Sequence, residues 1–355
     1  MGCILSAGMP RKPTLKDVAK AAGVSVATVS RVLTDKNVVG PGAKTKVRQA
    51  AERMGYAPLR NRSSAQAPKD LKHGAVLLLW GTGREAMGSL GAQNLMRGLT
   101  QGLRNIGASL NVDYLDSTRD LPQLLKKRKV DGVFLHGQID SPEAPETLNM
   151  LPVVWLYHQG SHAFGDRVEP DHAKVGDLAC RHFFAQNCRR LCCITDTKHG
   201  DGGITRLRSN AFESVARSLG LPVELIECQL PLEAKGRGDK GRIHGTVAAE
   251  DASSIAMKFA ELSPRPDALF VANYVGPFLH MELAKLNIIP MKDVCMVAGD
   301  DSYCSQFSLS PEPITVRIFS EQIGLLAVEQ LLMRIRNPDF RPITLSVKPR
   351  LEIPG

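Results

Sequence analysis

The chain alternates between two kinds of pattern. Up to about residue 58, apolar residues recur at helical spacing. From His73 onward, short continuous apolar runs alternate with longer amphipathic stretches. In the first part, Thr14-Leu-Lys-Asp17 has the form of a capping box, in which a threonine oxygen covers a free helix amide and an acid three residues on answers back. A helix is therefore expected from Leu15, with Val18, Ala19 and Ala22 as its apolar stripe and Gly23 as its left-handed stop. Ser25 can cap a second helix over Val26 to Leu33 that turns Val29, Val32 and Leu33 inward, which makes a helix-turn-helix. A third helix is expected from Lys44 to Met54, burying Val47, Ala50, Ala51 and Met54 and exposing Lys44, Lys46, Arg48 and Arg53.

The second part predicts strands at Ala75 to Leu79, Val130 to Leu135, Val153 to Leu156, Leu191 to Ile194, Ala268 to Ala272 and Val294 to Ala298. Helices are expected between them at Leu95 to Ile106, Val175 to Phe184, Asn210 to Leu219 and Gly324 to Arg336. Continuous apolar strands interleaved with helices imply an α/β body with parallel sheets covered on both faces. About 280 residues with that many strands fit two lobes better than one.

Charge sharpens the division. The formal net charge of the chain is +9, and all of it falls within residues 1–70; the remainder is neutral. A basic module on a neutral body points to a polyanion, because cationic side chains at phosphates release condensed counterions. That argument alone leaves DNA, RNA and anionic lipid open. No apolar run approaches 18 residues, so no membrane-spanning segment is expected and a soluble, cytoplasmic protein is. Met1-Gly-Cys-Ile-Leu-Ser6 matches an acylation pattern, but a disordered leader over residues 1–10 is the favoured expectation. The 8 cysteines do not form the pattern of a small disulfide scaffold and are expected to stay reduced; Cys192 and Cys193, within an apolar run, lie near Cys180, Cys188, His172 and His182 in sequence, but paired metal-ligand spacing is missing, so buried structural thiols are expected there and neither metal nor cofactor is.

At this point the block Thr14-Leu-Lys-Asp-Val-Ala-Lys-Ala-Ala-Gly-Val-Ser-Val-Ala-Thr-Val-Ser-Arg-Val-Leu33, followed by Gly55-Tyr-Ala-Pro58, resembles the head of the lactose-repressor (LacI) family. The resemblance implies that Val26, Ala27 and Arg31 read bases while Thr28, Ser30 and Tyr56 hold phosphates. Chemistry agrees, since Arg31 can grip guanine O6 and N7 and the apolar pair suits thymine methyls. Thr14, Ser25, Lys46, Arg60 and Arg62 complete the expected DNA contacts, with Ala65 at the place where family members carry a minor-groove leucine wedge. Residues 59–67 are polar and close on a proline, so a DNA-ordered hinge helix and a plain linker both remain open.

The resemblance extends through the body. Arg208-Ser-Asn-Ala-Phe212, Val271-Ala-Asn273 and Val297-Ala-Gly-Asp-Asp301 are similar to family segments that bind a small effector, and imply a periplasmic-binding-protein-like pair of lobes. Ligands in open α/β sheets sit beyond the strands' carboxyl ends, which singles out Trp80, Tyr157, Asn273 and Asp300 beside Arg208. Donors and acceptors of this kind suit a sugar or sugar derivative, with Trp80 or Tyr157 stacking on it, although core packing is the alternative for both aromatics. Arg208 and Asp300 could instead form surface or interlobe ion pairs. Tyr157, Gly299 and Tyr274 depart from the usual family pattern, so the effector itself is open.

The expected organisation is a leader at 1–10, a head at 11–58, a linker at 59–72 and a body at 73–355. Lobe one is expected at about 73–169 and 316–340, and lobe two at about 170–315 and 341–355. The reading is a homodimeric DNA-binding regulator without catalysis, bound to pseudo-palindromic double-stranded DNA. Two other readings compete. Gly81-Thr-Gly83-Arg-Glu-Ala86 after a strand fits a dinucleotide-binding turn, as in an NAD-dependent oxidoreductase, but no acid stands about 20 residues on. A solute-binding protein would share the body yet leave the basic head without a role. Gly236-Arg-Gly-Asp-Lys-Gly241 repeats the glycine spacing without a preceding strand and reads as a surface insertion.

Overall fold

The computed structural model describes residues 14–33, 40–54, 71, 73–80, 90–115, 123–127, 129–137, 148, 150–157, 164–195, 203–227, 244–273, 275–301 and 309–354. The chain parts into two compact units, residues 1–65 and 66–355. The first contains α1 (Leu15–Ala22), α2 (Val26–Leu33) and α3 (Pro41–Arg53) around one small core of Val18, Ala19, Ala22, Val29, Val32, Val47, Ala50 and Ala51. The capping box forms as the sequence predicts: Thr14 N donates to Asp17 Oδ2 at 2.7 Å while Thr14 Oγ1 accepts from Asp17 N at 3.4 Å. Gly23, at φ 68°, closes α1 in the left-handed region that a side chain would oppose. α3 begins at Pro41 rather than Lys44, because proline's missing N–H costs nothing in a first helical turn.

The second unit contains two six-stranded sheets. The first runs in the order β11-β5-β4-β3-β1-β2 and the second in the order β12-β10-β9-β8-β6-β7. The strands of the first sheet are β1 (Ala75–Trp80), β2 (Leu110–Leu115), β3 (Gly132–Gly137), β4 (Val153–Leu156), β5 (Asp166–Pro170) and β11 (Thr344–Val347). Those of the second are β6 (Leu191–Thr195), β7 (Val223–Glu227), β8 (Ala268–Val271), β9 (Cys295–Ala298), β10 (Ile314–Arg317) and β12 (Arg350–Glu352). All pairings within them are parallel except β10 with β12.

Successive residues of the inner strands feed opposite faces, as pleated backbone requires. In β4, Val153 and Trp155 join one core and Val154 and Leu156 another; in β8, Ala268 and Phe270 part in the same way from Leu269 and Val271. Helices α4 (Leu90–Asn105) and α10 (Ser320–Arg336) pack together beside the first sheet, which α5 (Gln123–Lys126) helps to cover on its other face. On the second sheet, α6 (His172–Ala185) and α7 (Ile204–Ser218) pair, as do α8 (His244–Glu261) and α9 (Gly276–Lys285). The α4/α10 crossing is close enough that a Cβ on Gly98 would stand 2.0 Å from Glu321 O and one on Gly324 2.4 Å from Leu95 O.

One expected boundary needs correction. Residues 341–355 do not go together to the second lobe, because β11 lies parallel to β5 at the edge of the first sheet and only β12 joins the second. The cause is a buried carboxylate. Asp166 accepts from Ile343 N at 2.8 Å, from Gln330 at 2.8 Å and from both Arg334 Nε and Nη2 at 2.9 and 2.5 Å, which ties α10 and the start of β11 to β5. Among the described residues no group of acids, cysteines or histidines has metal-binding geometry, and no helix is long and apolar enough to cross a membrane. Cys180, Cys188, Cys192 and Cys193 are buried and free, as read from the sequence.

Candidate DNA-reading face and effector site

The short turn between α1 and α2 fixes the start of α2, and Ser25 completes it. Ser25 Oγ accepts from Thr28 N at 3.1 Å and shares a hydrogen bond with Thr28 Oγ1 at 2.8 Å. Ser25, an expected DNA contact, thus caps α2 as Thr14 caps α1, and Thr28, expected at a phosphate, is tied to that cap. With Val29 and Val32 turned into the core, the outward residues of α2 are Val26, Ala27, Ser30 and Arg31, all exposed. Val26 keeps 43% of its surface, an unusual exposure for a valine on a helix with a core side available. Lys46 is exposed on α3. Tyr56, Arg60, Arg62 and Ala65 lie outside the described residues, as do Gly81 to Ala86 and Gly236 to Gly241.

In the body, four of the expected effector residues stand at carboxyl ends of strands. Trp80 is the last residue of β1, although its side chain is outside the described set; Tyr157 follows β4, and Asn273 and Asp300 lie two residues beyond β8 and β9. Arg208 reaches the same region from α7. It is 3% exposed, so it is no surface ion pair, and its Nη1 donates to Ala272 O at 2.8 Å, beside the end of β8. Burial pulls its pKa below the ordinary guanidinium value, against the opposing charges of Asp300, Tyr157 and Asp301. The structure thus brings Arg208, Asp300 and Tyr157 into one electrostatic cluster.

Tyr157 serves the core. It is 7% exposed at φ 61°, its ring lies 5.5 Å from that of His136, and it packs among the buried apolar residues of the body's largest core. Burial drives its pKa far up. A non-glycine residue held in the left-handed region at a strand end marks a place where surrounding structure overrides local preference. Asn273 is buried, and its Oδ1 accepts from Val275 N at 3.2 Å where α9 starts.

Three neighbours escaped the sequence reading. Asp301 is 3% exposed and accepts from Ile318 N and Ser320 N, each at 2.9 Å, and from Ser320 Oγ at 2.8 Å, so it fastens the stretch that enters α10. Asp300, its neighbour in sequence, is half-buried. His136 Nδ1 lies 3.2 Å from Leu156 O, and burial lowers its pKa. His172, the first residue of α6, lies with Nδ1 3.3 Å from Arg208 Nε. The signal for His172 was its place two residues after a strand, but β5 reads Asp-Arg-Val-Glu-Pro and does not look like one.

Comparison with known proteins places these two regions. Residues 14–59 match the family described as "Bacterial regulatory proteins, lacI family", and residues 180–353 match the "Periplasmic binding protein-like domain". The chain is 24% identical over 352 residues to the ribose operon repressor of Escherichia coli (strain K12), covering 95% of this chain and 98% of the relative. It is also 24% identical to the HTH-type transcriptional repressor PurR of Vibrio parahaemolyticus, over 96% of this chain and 97% of that one. Among solved structures it resembles the lac repressor dimer bound to operator and the anti-inducer ONPF, with a TM-score of 0.66 at 17% identity over 96% of this chain and 98% of that one. It also resembles the CelR–cellobiose complex, with a TM-score of 0.62 at 21% identity and the same coverage. The exposed α2 face on a capped helix-turn-helix, the paired parallel sheets and these matches at both ends of the chain agree: this protein joins a head of the lacI family of bacterial regulatory proteins to a periplasmic-binding-protein-like domain.

Proposed function

We propose that the protein is a cytoplasmic, homodimeric and non-catalytic transcriptional repressor that binds a pseudo-palindromic operator and responds to a sugar or sugar derivative held between its lobes. The observation that carries the DNA half is the exposed row Val26, Ala27, Ser30 and Arg31 on a short helix capped at Ser25. A row of this size fits a major groove, with Arg31 gripping a guanine and Lys46, Thr28 and Ser30 on phosphates. Two-fold symmetry of the protein imposes a two-fold site on the DNA. Tyr56, Arg60, Arg62 and Ala65 extend the contact toward the operator centre.

The effector half rests on Arg208 and Asp300, an opposite-charge pair beside the strand ends. Together with Asn273 they present donors and acceptors for hydroxyl groups. Tyr157 is buried against the His136 ring and the body's core, so stacking on a sugar face falls to Trp80. Effector and operator each favour one arrangement of the lobes, and linkage makes each change the affinity for the other. The names of the relatives, a ribose operon repressor and a cellobiose complex, support a carbohydrate.

Selection of bound sequences from a random double-stranded pool tests the first half: a palindrome is expected, and Arg31→Ala should relax one base pair per half-site at a cost of about 1–3 kcal/mol. Sequence-blind binding that vanishes with salt would refute it. Titration of D-ribose, cellobiose and D-xylulose into the operator complex tests the second. Asp300→Ala should retain operator affinity and lose the response to whichever sugar acts on the wild type; an undiminished response would refute the site.

A further inference from the structure

The contact between His172 and Arg208 has a fixed direction. The Nε of an arginine carries a hydrogen it can only donate, and His172 Nδ1 lies 3.3 Å from it. That ring nitrogen must therefore accept, which leaves the proton of a neutral imidazole on Nε2. We infer that His172 is a positioning residue of the effector site: in its Nε2-protonated, neutral form it accepts from Arg208 and fixes the plane of the Arg208 guanidinium. This rests on reading Arg208 as an effector ligand.

Both partners are held in place independently. Asp171 caps α6, its Oδ1 accepting from Lys174 N at 2.9 Å, and its own N–H donates to Val347 O at 2.9 Å, so the first turn of α6 that carries His172 is anchored at two points. One turn further, Gly176 sets α6 directly against α7: a Cβ there would meet Arg208 O at 2.2 Å. The close crossing brings the two side chains together from the backbone outward. His172 is 5% exposed and Arg208 3%, so water cannot substitute readily for either bond.

Two acceptors on different edges then orient the fork. His172 takes Nε–H, and Ala272 O takes Nη1–H at 2.8 Å. An arginine stem has several rotatable bonds, and fixing the planar head at two of its edges stops it from turning about them. A binding site gains affinity when such ordering is complete before the ligand arrives. An asparagine at position 172 could offer its carbonyl oxygen to the same N–H, whereas leucine fills the volume without an acceptor.

The test uses the full chain, nitrogen-15 labelled, with no effector added. The long-range proton–nitrogen spectrum of the wild type should show a His172 ring, identified by its absence in His172→Asn, with Nδ1 unprotonated and Nε2 protonated. The Arg208 Nε–H signal, identified by its loss in Arg208→Lys, should be protected from solvent exchange. In His172→Leu that exchange should accelerate by at least about ten-fold, as expected when a buried donor loses its partner, and His172→Asn should restore protection. A His172 ring protonated on Nδ1 would overturn the inference, as would equal protection in the leucine variant. If His172→Leu does not fold, the wild-type ring decides alone. Failure of Asp300→Ala to abolish the sugar response would instead overturn the effector site and leave the ring's protonation untouched.

Discussion

Gly176→Ala should weaken the body although it puts a better helix former into a helix. In an unobstructed helix interior the exchange stabilises by about 1 kcal/mol, because alanine loses less backbone freedom than glycine on folding. At Gly176 the added Cβ would stand 2.2 Å from Arg208 O and 2.7 Å from Phe212 N, both backbone atoms that cannot swing aside. Restoring an ordinary contact of 3.4 Å requires α6 and α7 to part locally by about 1.2 Å. Overpacking of this kind costs typically 1–3 kcal/mol, which exceeds the gain in helix propensity. The same displacement carries His172 away from Arg208, where the present 3.3 Å leaves little margin before the hydrogen bond is lost. Urea unfolding followed by tryptophan fluorescence is the assay, since both tryptophans, Trp80 and Trp155, lie in the body. A lower midpoint with an unchanged slope is expected. A variant as stable as the wild type, or more so, would refute the close crossing and with it the account of how His172 reaches Arg208.

Asp166→Ala should destabilise the body by about 3–5 kcal/mol, because it takes the carboxylate from the half-buried Arg334 and leaves the buried Gln330 amide and Ile343 N–H without their acceptor. Burial raises the Asp166 pKa, but hydrogen bonds from Arg334, Gln330 and Ile343 outweigh it and hold the carboxyl below its ordinary value. Its stabilisation is therefore present above the unfolded value of about 3.9 and is lost as pH falls through the folded one, so the gap between wild type and Asp166→Ala should narrow below about pH 4; a constant gap would contradict the shift. Lys46→Ala should weaken binding on every DNA sequence alike and reduce the salt slope by about 0.9, whereas a loss confined to one operator would contradict a phosphate contact. Ser25→Ala should cost the head about 1 kcal/mol through its missing cap even in the absence of DNA, and an unchanged head stability measured by thermal unfolding would place Ser25 on the DNA alone.

The six strands legible in the sequence, β1, β3, β4, β6, β8 and β9, all lie inside the sheets, whereas the four edge strands β2, β7, β11 and β12 were not read. The difference is physical. An inner strand buries both faces and reads as an unbroken apolar run, as Val153 to Leu156 does; an edge strand meets solvent, and β7 buries only Ile226 of Val-Glu-Leu-Ile-Glu. β5 was hidden by Asp166, whose burial depends on partners more than 160 residues away. That omission also hid His172, because the rule that places ligands beyond strand ends needs the strand first. In the head, caps and stripe are local, so Thr14, Gly23 and Ser25 could be assigned from a few neighbours. Tyr157 shows the opposite limit: its position after β4 is legible, but its packing against His136 and the core is a fact of tertiary structure.

The placement of β11 bears on biosynthesis. The first sheet contains residues from Ala75 to Pro170 and then waits for Thr344–Val347, while α10, which packs beside it, ends only at Arg336. A nascent chain therefore makes almost the entire body before either sheet can close, since β12 completes the second only at Glu352. The head, whose core is complete by Met54, needs no such delay. During translation the DNA-reading module can fold while the body's central strands still expose their apolar faces. Closure by pairs so distant in sequence makes the body's folding slow by nature. A ribosome stalled before residue 344 would thus carry a folded head attached to a body unable to complete either sheet.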